Sequence, residues 1–135
     1  MKRPGWDEYY LLIAFAVASR GECTRRRVGA VIVRDQAIIA TGYNGAPAGE
    51  LSCLDGHCPR AFSDVAPGVG YAASGCNVIH AEANALLRAG RERSMGATLY
   101  TTCTPCELCR PLVKAAGIIR VVISEGDGYR DMEGL

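Results

Sequence analysis

Two short motifs, each at the start of a predicted helix, place the strongest constraint on the fold of this sequence. The first, His80-x-Glu82, opens the segment HAEANALLRA, and the second, Pro105-Cys106-x-x-Cys109, leads into the segment CELCRPLVKAA. A single predicted strand, ATLYTT, separates the two segments. If the imidazole and the two thiols act on one ion, the fold must bring the two helix starts together.

Hydrophobic periodicity predicts an α/β fold around these motifs. In chain order, the predicted elements are a helix over about 8–19, strands VGAVIVR and AIIATGY, a long loop over 43–76, a helix over 80–89, strand ATLYTT, a helix over 106–116 and strand IIRVVIS. Asp7 is the predicted cap of the first helix, and Asp35-Gln36 is the predicted turn of a hairpin. Alternation of helix and strand after the hairpin predicts right-handed crossovers and a mixed sheet covered by helices.

Length and composition limit what the chain can be. Its 135 residues predict a single domain, and 49% apolar with 21% charged residues is typical of a globular protein. The longest apolar run, YYLLIAFAVA, is too short to cross a bilayer and follows two acidic residues, so a cytoplasmic protein is predicted. The formal charge of +1, with one short cluster of arginines at 25–27, predicts no large polyanionic partner.

The cysteine motif has the spacing of a metal site. Cys106 and Cys109 lie three residues apart, so a helix places both sulfurs on one face, where the amides of the helix start favour thiolates. Two thiolates are half of a tetrahedral zinc site, and His80 can supply a third ligand. Because the fourth position is then left for water, the pattern predicts a catalytic site, with Glu82 beside it to carry the proton.

Each motif alone has a simpler interpretation. A single helical histidine is more often structural, and an isolated C-x-x-C is equally typical of a redox centre or of half a structural zinc site. Together, however, the two motifs resemble the signature of zinc-dependent deaminases. The chain is similar to the deoxycytidylate (dCMP) deaminase branch of the cytidine and deoxycytidylate deaminase superfamily, through the segments WDEYY, CTRRRVGAVIV, TGYNGAPAG, HAEANALL, TPCELC and GYRD.

The resemblance implies both a fold and a reaction. It implies a cytidine-deaminase-like, three-layer α/β/α fold with a five-stranded mixed sheet, zinc held by His80, Cys106 and Cys109, and Glu82 as proton shuttle. An activated water would attack C4 of a cytosine nucleotide, while Glu82 protonates N3 and then the departing amino group. The expected reaction is hydrolysis of dCMP to dUMP and ammonia.

The resemblance also implies a set of substrate-binding residues: Arg25, Asn44, Ala81, Tyr129 and Arg130. Arg25 is expected near the 5′-phosphate, Asn44 near the sugar and phosphate, and Tyr129 against the base or sugar. Arg130 can pair with the phosphate through two parallel hydrogen bonds. The alternatives are an ordinary Asn-Gly turn at 44–45 and a flexible tail at GDGYRD.

The seven cysteines of the chain are an odd number, which argues against a disulfide framework in a reducing compartment. The resemblance implies a second, structural zinc held by Cys23, Cys53, Cys58 and Cys76. His57 is an alternative to Cys58 as ligand. Cys103 is predicted to be a small buried residue, an interpretation that is also open for each cysteine taken singly.

The sequence leaves alternatives open for the substrate and for the class of protein. The segment PRAFSDVAPGVGYAASG has no clear counterpart in this branch, so a modified cytosine nucleotide, a nucleoside or another amino-heterocycle is an alternative substrate. Adenosine in tRNA is disfavoured, because Asn44 and His80 are 36 positions apart and the tRNA deaminases have a short loop there. A zinc-binding module without catalysis is a further alternative, against which Glu82 argues. Relatives in this branch also imply a homo-oligomer, commonly a hexamer, and regulation by dCTP and dTTP.

Overall fold

The computed structural model describes residues 2–56 and 76–135. Its elements, in chain order, are α1 (Trp6–Ala18), β1 (Gly29–Arg34), β2 (Ala37–Tyr43), a 3-10 turn (Cys53–Asp55), α2 (Ala81–Ser94), β3 (Thr98–Thr101), α3 (Cys109–Ala115), β4 (Arg120–Glu125) and β5 (Gly128–Asp131). The five strands form one sheet in the order β2-β1-β3-β4-β5, in which β3 and β4 are parallel and the other neighbours antiparallel. The predicted mixed sheet is confirmed. Among the residues described, no helix is long and apolar enough to span a membrane.

Helices cover both faces of this sheet. Along β1, Ala30 and Ile32 belong to one buried cluster and Val31 and Val33 to another, as the two-residue period of a strand requires. The first cluster contains residues of α2 and α3, and the second contains residues of α1. The structure therefore has the three α/β/α layers that were expected, with an apolar core on each side of the sheet.

The hairpin between β1 and β2 turns at Asp35 and Gln36, as predicted. Both residues have positive φ, 53° and 61°, which is the geometry of two-residue turns that match the twist of the strands. The hydroxyl of Tyr10, a buried residue of α1, donates a hydrogen bond to the Gln36 carbonyl at 3.0 Å. The first helix therefore stabilises a turn conformation that glutamine itself does not favour.

Gly42 of β2 lets α2 approach the sheet at backbone contact distance. A Cβ at this position would lie 2.4 Å from the Ala81 carbonyl oxygen and 2.4 Å from the Ala85 amide nitrogen. Only a residue without a side chain fits there. The contact seats the first turn of α2, and with it the motif of His80 and Glu82, directly on the end of β2.

The predicted cap of α1 is wrong. Gly5 occupies the N-cap position, and the Asp7 carboxylate contacts β3 and β4 instead. It accepts a hydrogen bond from the Tyr100 hydroxyl at 2.6 Å and two from the Arg120 guanidinium, at 2.9 and 3.0 Å. The hydrogen bonds from Arg120, aided by the one from Tyr100, hold the pKa of Asp7 below its ordinary value although burial opposes them. Asp7 therefore ties the helix to the sheet.

Three other features of the secondary structure differ from the prediction. α2 continues beyond residue 89 to Ser94, through Gly90, whose φ of 77° interrupts the helical geometry. α3 begins at Cys109 and not at residue 106, because residues 104–106 have no regular structure and residues 107–108 form a turn. The segment GDGYRD contains β5, so the alternative of a flexible tail is wrong for Gly128–Asp131.

Candidate active site

The imidazole of His80 and the sulfurs of Cys106 and Cys109 converge in the structure. His80 Nδ1 lies 3.1 Å from Cys106 Sγ and 3.3 Å from Cys109 Sγ. The three candidate ligand atoms all lie within 4.8 Å of one another. Ligands of one tetrahedral zinc ion are roughly 3.5–3.8 Å apart, given the usual zinc–nitrogen and zinc–sulfur bond lengths. The donor set and its spacing therefore suit zinc, as the two motifs predict.

Two local structures bring the cysteine pair and the histidine together. The Cys106 carbonyl accepts hydrogen bonds from the amides three and four residues later, both at 3.1 Å, and this turn leads directly into α3. The two sulfurs therefore face the histidine although Cys106 precedes the helix. His80 is the N-cap residue of α2, and its neighbour Ile79 pairs with Gly45 through two backbone hydrogen bonds, at 2.8 and 3.0 Å. The loop after β2 thus supports the approach to the histidine.

Burial and nearby negative charge both oppose the thiolate form of Cys109. Burial raises the pKa of this thiol far above its ordinary value, and the charges of Glu82 and Cys106 raise it further. Desolvation therefore opposes, at Cys109, the thiolate form that the amides of a helix start favour. A divalent cation reverses this balance, since its charge stabilises coordinating thiolates and offsets the carboxylate beside them.

Glu82 lies beside this cluster, in the first turn of α2. It is 4% exposed and accepts a hydrogen bond from the Thr101 hydroxyl at 3.1 Å. The same hydroxyl lies 2.9 Å from the carbonyl oxygen of Cys103. Cys103 is half-buried, whereas the sequence predicts a buried residue. A buried carboxylate next to a zinc-binding cluster is placed to take up and release protons during a hydrolysis.

Asn44 is buried at the end of β2 and holds the segment that carries Arg25. Its amide nitrogen donates to the Arg26 carbonyl at 2.8 Å, and its amide oxygen accepts from the Val28 amide at 2.9 Å. Asn44 is therefore more than a turn residue, because its side chain joins two segments. Arg25 itself is exposed, whereas Ala81 is fully buried in the first turn of α2.

Tyr129 and Arg130 lie on β5, at the edge of the sheet. Arg130 forms an ion pair with Glu125 at 2.8 Å and donates to the Thr104 hydroxyl at 3.4 Å. Thr104 is two residues before Cys106, so the guanidinium reaches the loop that leads to the metal cluster. Tyr129 is 43% exposed. The structure therefore brings Arg130 close to the cluster loop and leaves much of Tyr129 at the surface.

The predicted second zinc site lies partly outside the described residues, which do not include His57 and Cys58. Cys53 is buried, and Cys23 and Cys76 are half-buried. Within residues 2–56 and 76–135, the cluster described above is the only group of three or more candidate metal ligands. The three described cysteines of the second set therefore do not form a complete group by themselves, and none of them is in a disulfide.

Three polar residues that support the site are not predicted from the sequence: Glu22, Asn84 and Thr101. Asn84 donates to the Tyr43 carbonyl at 2.9 Å and to the Ile79 carbonyl at 3.3 Å, so it joins α2 to the end of β2 and to the residue before His80. The Glu22 carboxylate accepts from an amide of the loop after β2, that of residue 46, at 2.8 Å. Asparagine is a weak helix former, and its position among alanine and leucine is the one signal for Asn84 in the sequence.

The fold and the site together define a class of protein. In this three-layer α/β/α structure, the H-x-E and P-C-x-x-C motifs converge on a zinc-binding cluster, and the glutamate lies beside the ligands and not among them. This is the arrangement of the zinc-dependent deaminases.

The cytidine and deoxycytidylate deaminase zinc-binding region matches residues 4–125, and the chain belongs to this family, in its deoxycytidylate deaminase branch. It is 54% identical over 125 residues to the deoxycytidylate deaminase of Mycobacterium phage D29, with 90% of this chain and 96% of that protein covered. It is 44% identical over 126 residues to the deoxycytidylate deaminase of Saccharomyces cerevisiae. That match covers 93% of this chain, which spans only 39% of the yeast protein.

Solved structures agree with this membership. The dCMP deaminase of cyanophage S-TIM5, in complex with dCMP and dUMP, is similar with a TM-score of 0.69 at 29% identity, over 91% of this chain and 83% of that one. Its apo form gives a TM-score of 0.69 at 28% identity, over 94% and 89%. The expectation of a cytidine-deaminase-like fold is confirmed.

Proposed function

We propose that this chain hydrolyses dCMP to dUMP and ammonia with the help of a zinc ion. The observation that carries the proposal is the convergence of His80, Cys106 and Cys109 beside the buried carboxylate of Glu82. The substrate follows from the relatives, since the phage D29 and yeast proteins are deoxycytidylate deaminases and the cyanophage enzyme forms a complex with dCMP and dUMP. The match to the phage D29 protein covers 96% of its length, which favours a shared substrate.

His80, Cys106 and Cys109 would hold the zinc ion. When bound, zinc lowers the pKa of a water molecule to about 7 and so provides a nucleophile for C4 of the cytosine ring at neutral pH. Glu82 would take up one proton from the attacking water and deliver it to ring N3. It would carry the second proton to the amino group, which leaves as ammonia. Burial of the Glu82 side chain keeps these transfers apart from bulk water.

We assign substrate binding to Arg25, Asn44, Ala81, Tyr129 and Arg130. Support for Arg25 and Asn44 comes from the two hydrogen bonds that attach the Arg25 segment to the end of β2. Ala81 would contribute backbone groups, because its side chain is buried. Arg130 has an exposed ion pair with Glu125, and such pairs contribute about 0–1 kcal/mol, so a phosphate can replace the carboxylate.

We also propose a second, structural zinc ion, with Cys23, Cys53, Cys76 and either Cys58 or His57 as ligands. Support comes from Asn77, whose side chain donates to the Leu51 carbonyl at 3.0 Å. This contact brings the segment that contains Cys76 beside the segment that contains Cys53. Four soft or imidazole ligands would close a tetrahedral site of the structural kind.

Several properties stay predictions: a single domain over residues 1–135, a cytoplasmic location, a homo-oligomer with a hexamer favoured, and regulation by dCTP and dTTP. Self-association has support from the solvent-exposed half of α1. Trp6, Tyr9, Leu12 and Phe15 follow one another at intervals of three residues and are 42–61% exposed. An apolar patch of this kind is typical of surfaces that bind other proteins.

Ammonia release from dCMP, CMP, dCTP, deoxycytidine and cytosine, measured with zinc-loaded protein, tests the function. We expect the highest kcat/KM for dCMP, and Glu82→Gln, purified in the same way, controls for contaminating deaminases. A higher kcat/KM for deoxycytidine than for dCMP would refute the nucleotide assignment and leave deamination intact. If protein that holds zinc releases no ammonia from any of these compounds, the proposed deaminase activity is refuted.

A further inference from the structure

We propose that Thr101 is a positioning residue for Glu82, whose carboxylate its hydroxyl holds in the orientation needed for proton transfer. The Thr101 hydroxyl lies 3.1 Å from Glu82 Oε1. Thr101 has no exposed surface and Glu82 is 4% exposed, so water does not compete freely for this hydrogen bond. The inference rests on the proposed function, because proton transfer by Glu82 is part of it.

The position of Thr101 in the sheet makes its hydroxyl a rigid anchor. Thr101 is the last residue of β3, where it pairs with Ala30 of β1 on one side and with Ile123 of β4 on the other. Its backbone is therefore held from both sides, and a β-branched side chain has few rotamers. Glu82 is different, because a glutamate side chain has three rotatable bonds and needs contacts to fix its end.

A second contact fixes the hydroxyl itself. The Thr101 hydroxyl lies 2.9 Å from the Cys103 carbonyl oxygen and accepts a hydrogen bond from the Cys103 amide at 3.4 Å. A threonine hydroxyl has one proton to donate and two lone pairs that accept, so it can serve several neighbours. The hydroxyl beside Glu82 is therefore held by the residues that follow β3 as well as by the strand.

The purely structural explanation is that Thr101 satisfies its hydroxyl with a backbone carbonyl at the end of a strand. The contact with Cys103 alone would meet that need. The approach to Glu82 adds a restraint on the group that moves protons, and displacement of a reacting group by about 1 Å can lower a rate a hundredfold. The two explanations predict different values of kcat for a variant without the hydroxyl. Only a positioning role lowers kcat when the stability of the variant is unchanged.

The test compares Thr101→Val, Thr101→Ser and the matched control Thr102→Val. Valine keeps the volume and β-branching of threonine and removes the hydroxyl, whereas serine keeps the hydroxyl. Thr102 is the next residue, and its hydroxyl accepts from the Gly29 amide at 3.1 Å, so its replacement disturbs the strand end without reaching Glu82. We expect Thr101→Val to lower kcat for dCMP by roughly ten- to a hundredfold with KM changed less than about threefold, and the other two variants to stay within about fivefold of wild type.

Two further measurements separate this inference from the proposed function. In a Glu82→Gln background, Thr101→Val should cause no further loss of the residual rate, since a residue that acts through Glu82 has nothing left to position. Crystal structures of the variants provide a readout without activity: we expect one Glu82 rotamer in wild type and Thr101→Ser, and displaced or multiple rotamers in Thr101→Val.

Several results would overturn the inference. These are a kcat of Thr101→Val within twofold of wild type, an equal loss in Thr101→Ser, or an unchanged Glu82 rotamer in the valine variant. If wild type releases no ammonia from any nucleotide, the proposed function fails, and the rotamer comparison still decides whether Thr101 orients Glu82.

Discussion

Removal of the Asp7 carboxylate should destabilise the protein more than removal of Glu8 or Asp131. Asp7 joins α1 to the sheet, because it accepts one hydrogen bond from Tyr100 on β3 and two from Arg120 on β4. Tyr100 is 4% exposed, so Asp7→Ala leaves its hydroxyl buried without this acceptor. The substitution therefore tests a connection on the α1 side of the sheet, opposite the core that contains residues of α2 and α3.

Three contributions determine how much Asp7→Ala lowers the free energy of unfolding. A buried donor that loses its acceptor costs about 1–3 kcal/mol. The ion pair adds at most about 1 kcal/mol, because the Arg120 side chain is 37% exposed and solvent screens its charge. Loss of a negative charge from the first helical turn adds about 0.3–1 kcal/mol. We expect a loss of roughly 2–4 kcal/mol in the free energy of unfolding, which for a chain of this length lowers Tm by roughly 6–16 °C.

Two substitutions serve as matched controls in urea and thermal unfolding at neutral pH, with equal metal content confirmed for each variant. Glu8→Ala removes an exposed charge from the same helical turn, so its loss should be at most about 1 kcal/mol. Asp131→Ala removes the other carboxylate that Arg120 binds, at 2.9 Å, but that carboxylate is 58% exposed. Its loss should also be at most about 1 kcal/mol.

The pH dependence provides an independent check of the same contact. The pKa of Asp7 in the folded protein is lowered below 3.8, so its charge stabilises the fold at neutral pH, and this contribution is lost as pH falls through the folded pKa. The difference between wild type and Asp7→Ala should stay constant from neutral pH to about pH 5 and shrink below 3.8. A loss for Asp7→Ala within about 0.5 kcal/mol of that for Glu8→Ala would refute the reasoning, because the charge at the helix end would then explain both.

Three further predictions concern the site. Glu82→Gln should keep its zinc, as measured by elemental analysis, and lose at least about 10²–10⁴-fold in kcat, because an amide cannot carry a proton; activity within a few-fold of wild type would remove Glu82 from the mechanism. Arg130→Ala should lower kcat/KM for dCMP by roughly ten- to a hundredfold and scarcely change that for deoxycytidine, whereas equal losses on both would indicate a role in the fold. Freshly purified protein should contain two zinc ions per chain and Cys53→Ala one, and a wild-type content of one would contradict the second site.

The fold is predictable where a pattern of side chains reports burial. Strand β1 is buried at its first five positions and reads as an apolar run, and the hairpin turn after it follows from the break at Asp35-Gln36. Strand β5 is exposed at all four positions, so periodicity contains no signal for it and only the family resemblance implies a fifth strand. The true role of Asp7 depends on partners 93 and 113 residues away, which no local pattern can identify.

The site is predictable where motif spacing reports local geometry. His80, Glu82 and the two cysteines belong to two short segments, and each segment needs only the turn at the start of its helix to present its side chains. Thr101 is different, because threonine is a common strand residue and its contact with Glu82 depends on the register of β3 between two other strands. Sequence alone therefore identifies the residues that converge on the candidate site and misses one that contacts Glu82.

The groups assigned to chemistry and those assigned to recognition of the nucleotide are attached to the scaffold in different ways. Glu82 is buried on a helix that the close contact at Gly42 seats on the sheet, and its carboxylate contacts the central strand β3. Arg25 and Arg130 are exposed, one on a segment held by the Asn44 side chain and the other on the edge strand β5. Exposed segments tolerate substitution far better than a packed core does. Changes at the sheet edge should therefore alter which nucleotide is bound while hydrolysis continues, whereas changes around Glu82 should lower the rate for every substrate alike.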